Sequence, residues 1–362
     1  MKTMTIKTVK FIGLGYLEPL IRLIAGEEVK KNAKETFKKI GIPLLSVFFF
    51  IMLWQSFSDY LNNVESEIKI EKALQDQGPE AAKKLEECIA SGDISCRPNS
   101  LPSPLMVVGA LGKLWDDHLI LSAKKDDFIQ QYAAVNEERL AKGETEIKYT
   151  GRPSFVDQIL TSLKTVFAGF LLSVLIAIPM GILLGLSETL RTSFNWIVQI
   201  FKPVSPVVWL LLVSMIVKTI LSNVDVEKSF VISFISVGLC SMWATLVNTS
   251  AGVSSVDKDY INVAKVLQLG TFQKIFKIIL PSSFPMIFTG LRITLSVAWM
   301  VLIAIELLAQ SPGLGSFVWE EFQNGSSDSN SKIIVAMFVI GIIGFMLDRI
   351  MMIFQKLLTF NN

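Results

Sequence analysis

Very little in this chain is spaced for bond-breaking chemistry. Gly109-Ala110-Leu111-Gly112-Lys113-Leu114 superficially suggests a phosphate loop. It fails as one: the glycines are too close, Leu114 stands where Ser or Thr must reach magnesium, and no strand precedes it. One histidine and three cysteines leave no zinc-type cluster. There is no credible nucleophile–base pair and no flavin or haem signature, so no catalytic residue, metal or bound cofactor is expected on this chain. What remains is charge inside apolar sequence. Arg292 and Glu306 lie in one long apolar segment, and an ionisable group in hydrocarbon is costly enough to mark a functional site by default. On a helix they stand roughly 21 Å apart and within about 40° of one face, so they cannot pair directly. Either both look towards one internal path, where a cation favours a small anion, or Arg292 snorkels to the headgroups and Glu306 bonds a neighbouring helix. Asn248 lines a gate or bonds a helix, and Lys202 and Lys218 are read as snorkelling.

The elements that must position these groups are membrane spans. Half of the residues, 51%, are hydrophobic, and the mean hydropathy is strongly positive, an average typical of several spanning helices. With 34 Lys+Arg against 32 Asp+Glu, the near balance argues against nucleic acid as a partner. The first forty residues are rich in lysine (Lys2, Lys7, Lys10, Lys30, Lys31, Lys34, Lys38, Lys39) and lack a leading apolar run, so no cleavable signal peptide is expected. They read as a basic cytoplasmic arm, 1–40, placed inside by the positive-inside rule. A first span, 41–57, leads to a long polar region, 58–157, expected outside. There Cys88 and Cys96 fall in EECIASGDISCRP; an oxidising exterior would let them pair, and the alternative is two free thiols.

Further spans are expected over about 159–186, 194–221, 229–249, 286–308 and 333–347, with SETLR as a short inner loop after the first of these. Pro179, Gly181 and Gly185 give the 159–186 span a small-residue face for close helix contact. Pro203 and Pro206 break the next span and free carbonyls that must face protein or a polar cavity. The predicted fold class is an all-α integral membrane protein of six helices with both termini cytoplasmic, ending in a tail, 357–362.

One stretch is neither span nor loop. In 254–280, SSVDKDYINVAKVLQLGTFQKIFKIIL, Ser254 and Asp257 suggest a helix start. Tyr260, Val263, Ala264 and Leu267 then fall on one helical face, Gly270-Thr271 separates them from a second helix, and Phe272, Ile275, Phe276 and Ile279 repeat the spacing. The implied shape is a short amphipathic helix at a membrane face, rigidly joined to a span. This pattern resembles the cytoplasmic coupling loop of ATP-binding-cassette importer permeases, roughly E-A-A-x-x-x-G followed later by I-x-L-P. Asn262-Val263-Ala264 stands at E-A-A, Gln268 at the Gly, and Ile279-Leu280-Pro281 supplies the ending. Leu101-Pro102-Ser103-Pro104 before a helix over 106–114, Pro203-Val204-Ser205-Pro206 up to Trp209, Cys240-Ser241-Met242-Trp243 and Gly313-Leu314-Gly315 are similar to the nitrate/sulfonate/bicarbonate/taurine group, most of all to nitrate-type permeases.

That resemblance implies a permease core over 158–356 in a bacterial inner membrane. It also implies a second permease copy as partner, cytoplasmic ATP-binding subunits that hold the ATP and magnesium, and an external solute-binding protein. Asp257, Tyr260, Val263, Ala264, Leu267 and Gln268 would couple to the ATPase, against the alternative of a helix that merely lies on lipid. The cargo would be a small anion, nitrate or nitrite first, with sulfonate, taurine or bicarbonate as alternatives within the group. From other classes, an ion-gradient carrier predicts repeated halves, which the chain lacks, and a membrane sensor predicts a cytoplasmic signalling domain.

Overall fold

The structure, a computed structural model, describes residues 15–93, 96–222 and 227–358. Lys2, Lys7 and Lys10 of the basic arm and the last four residues of the tail lie outside them. Among the described residues every regular element is helical: α1 (Glu18–Ile24), α2 (Val29–Thr36), α3 (Ile42–Gln77), α4 (Pro79–Ser91), α5 (Pro104–Ala141), α6 (Phe155–Leu186), α7 (Glu188–Phe201), α8 (Pro206–Ile220), α9 (Lys228–Ser254), α10 (Lys258–Val266), α11 (Thr271–Lys274), α12 (Leu280–Ala309), α13 (Leu314–Asn324) and α14 (Ser327–Leu358). Among the described residues five helical runs are long and apolar enough to cross a membrane, or six if α7 and α8 are one broken span.

Several boundaries differ from those predicted, for identifiable reasons. SETLR is not a loop: Ser187 accepts the Leu190 amide at 3.4 Å and starts α7 at Glu188. The prolines at 203 and 206 do break the helix, as predicted, and the break is sharp. Pro206 occupies the first turn of α8, where its missing N–H costs nothing, Ser205 caps it, and the α7 and α8 axes are bent by 99°. The helix that carries the first span continues past 57 to Gln77, because Ser, Asn and Glu after the apolar stretch are compatible with helix. The helix expected over 106–114 is the opening of α5, capped by Ser103 and carried on to Ala141.

The residues divide into two compact units, one of 15–47, 162–311 and 340–358, the other of Phe48–Thr161 and Pro312–Val339. In the first, α9 is the central helix, flanked by α6 and α12. Gly185 permits the α6–α9 approach: a Cβ there would lie 2.5 Å from Val253 Cβ. At the α9–α12 crossing a Cβ on Gly290 would lie 2.8 Å from Asn248 Cβ and 2.9 Å from Thr245 Cα. Hydroxyls join these close backbones. Thr245 and Thr294 share a 2.7 Å bond, and Ser173 Oγ donates to Gly238 O at 2.8 Å. Small residues with short polar bonds are how spans associate when lipid offers no hydrophobic incentive.

In the second unit a disulfide joins Cys88 and Cys96. Trp54 Nε1 donates to Pro102 O at 3.0 Å and Ser58 Oγ to Leu101 O at 2.8 Å, which seats the 101–104 strap against α3. Buried Glu321 faces Lys332 at 3.5 Å and Arg152 at 3.8 Å.

Candidate functional site

The predicted coupling stretch folds as a short helix, a turn and a rigid entry into a span. Asp257, not Ser254, caps α10: its Oδ1 accepts the Asp259 amide at 3.0 Å, while Ser254 is the last residue of α9. The helix stops at Val266 in a paired C-terminal lock, with Gln268 N donating to Lys265 O and Leu269 N to Ala264 O, both at 3.0 Å. Such a lock requires a left-handed residue, and Gln268 supplies it at φ 50°. Gln268 aligns with the glycine of the coupling-loop pattern, so the backbone explains that glycine and shows the turn surviving without it. Gly270 is not the helix stop; it stands at the N-cap of α11 and offers no side-chain bond.

The apolar face predicted for α10 divides in two. Ala264 is buried, and Ile261 packs with Ile275 and Ile182 against Val253, Val256 and Ile279. Tyr260, Val263 and Leu267 lie beside that contact and are 59%, 52% and 62% exposed. The second helix splits likewise, with Ile279 buried and Phe272 and Phe276 exposed. From Thr271 the chain stays helical to Ala309, passing through a π turn at Ile275–Ile279. That widened turn sits just ahead of Pro281, whose ring and missing N–H strain a regular α turn. α10 thus touches this continuous helix through Ile261, which packs with Ile275 and Ile279, and is joined to it by the turn over 267–270.

On α12 the two charges meet different surroundings. Arg292 is neither unpaired nor free to snorkel: its guanidinium holds Asp348 of α14 in a two-pronged ion pair, Nε to Oδ1 and Nη2 to Oδ2, the latter at 2.8 Å. The pair stays partly accessible and borders a cavity of about 520 Å³ with Thr289, Ser296, Met300 and Gln355. Glu306 is sealed, and Ser162 Oγ of α6 donates to its two oxygens at 2.8 and 2.9 Å. Asn248 Nδ2 donates to Ala244 O of its own helix, with Gly290 against its Cβ. Sequence reasoning missed Asp348 as a partner because its charge was taken for the end of the span, whereas α14 runs on to Leu358. It also passed over Lys164, whose Nζ lies 4.9 Å from the Phe230 ring centre. Among the described residues no group of His, Cys, Asp and Glu is arranged to hold a metal.

Spans packed through small residues, with a short exposed-apolar elbow joined to one of them, make this a multi-span helical membrane protein. Residues 177–360 match the family described as binding-protein-dependent transport system inner membrane component, and the chain belongs to it. It is similar to the nitrate import permease protein NrtB of Synechococcus elongatus, at 35% identity over 53% of this chain and 66% of that protein. It is similar as well to the bicarbonate transport system permease protein CmpB of Synechocystis, at 36% over 56% and 68%, and to the Synechocystis NrtB, at 34% over 56% and 69%. The match thus spans about two thirds of these relatives and just over half of this chain.

Proposed function

We propose that this chain is the membrane-spanning subunit of an ATP-driven importer for a small oxyanion, nitrate or bicarbonate. The observation that carries the reading is the exposed triad Tyr260, Val263 and Leu267 on a helix that Ile261 and Ala264 hold against the spans. A helix offering apolar anchors at one side suits a groove on a partner. In this reading the partner is a cytoplasmic ATPase pair that binds ATP and magnesium, while a second permease copy completes the path and an external binding protein delivers the anion. α10 then lies on the cytoplasmic side, as do both termini, and the Cys88–Cys96 region is outside. Nitrate and bicarbonate stand equally, because relatives named for each match to the same degree.

The chain's own residues bias two states rather than break bonds. Closure of the ATPase pair draws the α10 helices together, Ala264 and Ile261 transmit the shift to the ends of α9 and α12, and the path re-orients. The ligand only has to bind one state better than the other. Changing Val263 and Leu267 together to Asp, in the complete complex reconstituted in vesicles, should lower ATP-dependent nitrate and bicarbonate uptake more than tenfold while the complex's spans remain folded. Uptake at the unmodified rate would refute the coupling role.

A further inference from the structure

The Arg292–Asp348 pair has features a purely structural tie does not need. It lies well inside both helices, roughly 18 Å from the start of α12 and 15 Å from the end of α14 at about 1.5 Å per residue. It is not sealed: the side chains are 40% and 28% exposed, and they form one wall of a cavity whose rim also carries Thr289, Ser296 and Gln355. Arg349, next to Asp348, is turned aside and stacks its guanidinium over Phe345 at 4.7 Å. The local balance is therefore two cations to one carboxylate. Glu306, on the same helix, shows what a sealed intramembrane charge looks like here, and Arg292 is unlike it.

A carboxylate held in a guanidinium fork presents two oxygens on one planar edge. Nitrate and bicarbonate present the same edge with the same single charge. We propose that Arg292 is the anion-selecting residue of the path and that Asp348 is its internal competitor, occupying the fork until a planar oxyanion exchanges for it. Exchange keeps the Arg292 guanidinium paired, and the released Asp348 carboxylate then turns to the second guanidinium, Arg349, so two cations face two anions and no bare charge stands in the membrane. It also excludes passive leak, since an anion must displace a carboxylate already at effective local concentration. Thr289 and Ser296, one turn away on either side of Arg292, donate their hydroxyls to Pro285 O at 2.8 Å and Arg292 O at 3.1 Å, and would have to rotate away from those carbonyls to reach the third oxygen. This inference rests on the permease reading but is tested apart from it.

The test uses the purified full-length chain and follows its melting temperature as sodium nitrate or sodium bicarbonate replaces sodium gluconate at constant ionic strength. Asp348→Asn removes the competitor, so half-saturation should fall at least tenfold below that of the unmodified protein. Arg292→Gln with Asp348→Asn is a neutral pair that should fold yet show no anion response and, in the complete complex, no uptake. Arg292→Lys keeps the charge without the fork and should respond at least tenfold more weakly. If the neutral pair transports normally, or Asp348→Asn shows no gain in sensitivity, the pair is a structural tie and the proposal falls with the permease reading intact. If instead the anion responses follow the prediction but the unmodified complex shows no ATP-dependent uptake, the site stands and the importer reading fails. A response to nitrate alone or bicarbonate alone assigns the preferred oxyanion.

Discussion

Phe49 in α3 and Leu267 at the end of α10 are equally exposed, each at 62%, yet the exposure means opposite things. Around Phe49 the apolar side chains point in every direction: Leu44, Leu45, Val47, Phe48, Phe50, Ile51, Met52 and Leu53 are all exposed. A helix apolar on all sides and without buried faces in its apolar window is dressed for hydrocarbon. α10 is nine residues long, far too short to cross, and carries Asp259 and Lys265 beside its apolar residues. It is held to the spans by Ile261 and Ala264, while Tyr260, Val263, Val266 and Leu267 stay exposed. One exposure is to a solvent, the bilayer; the other is to a shaped partner.

That contrast can be broken by substitution. The largest effect belongs to the rigid frame against which both regions are compared. Gly290→Leu would push a side chain into Thr245 backbone and Asn248, and we expect a loss of about 3 kcal/mol or more, seen as failure to recover monodisperse protein in detergent. Next comes Phe49→Asp. A charge at a lipid-facing position costs about 2.5–3.5 kcal/mol on insertion scales, so membrane-inserted protein should drop severalfold in a glycosylation-mapping assay. Val263→Asp introduces the same charge in the elbow but should leave insertion and melting unchanged within about 0.5 kcal/mol, as at an exposed site. Equal insertion defects at 49 and 263 would erase the distinction. The smallest effect is at Gln268. Gly there should raise thermal stability by about 0.5–1 kcal/mol, because it meets no penalty at positive φ, and should leave uptake intact.

Much of this was legible in the chain. The long apolar segments with sparse charge announced the spans, and the recurrence of Tyr260, Val263 and Leu267 announced a helix with an outward apolar side. Pattern alone could not say that Ala264 is buried while its neighbours on that face are exposed, since helical spacing defines a face but not what packs on it. Nor could it place the stop at Gln268: a glycine two residues later looked like the natural break, and only the paired backbone bonds reveal the left-handed residue. The prolines at 203 and 206 signalled a break correctly, but not the 99° bend between two capped helices, across which Phe201 meets Trp209 and Trp243. The partner of Arg292 was hidden for a similar reason. Asp348 lies far along the chain, and an acidic residue in the last span reads as its end until the helix is seen to continue.

The central claim, that α10 is a protein-docking helix and not a lipid-resting one, is tested most directly by site-directed spin labelling of Val263→Cys, with Phe49→Cys as the reference. Accessibility to oxygen and to a water-soluble nickel chelate is measured before and after the ATP-binding subunits join the complex. The account predicts that the label at 263 loses contact with both reagents on assembly while the label at 49 stays oxygen-accessible throughout. A label at 263 that remains as oxygen-accessible as the one at 49, with or without those subunits, would contradict it.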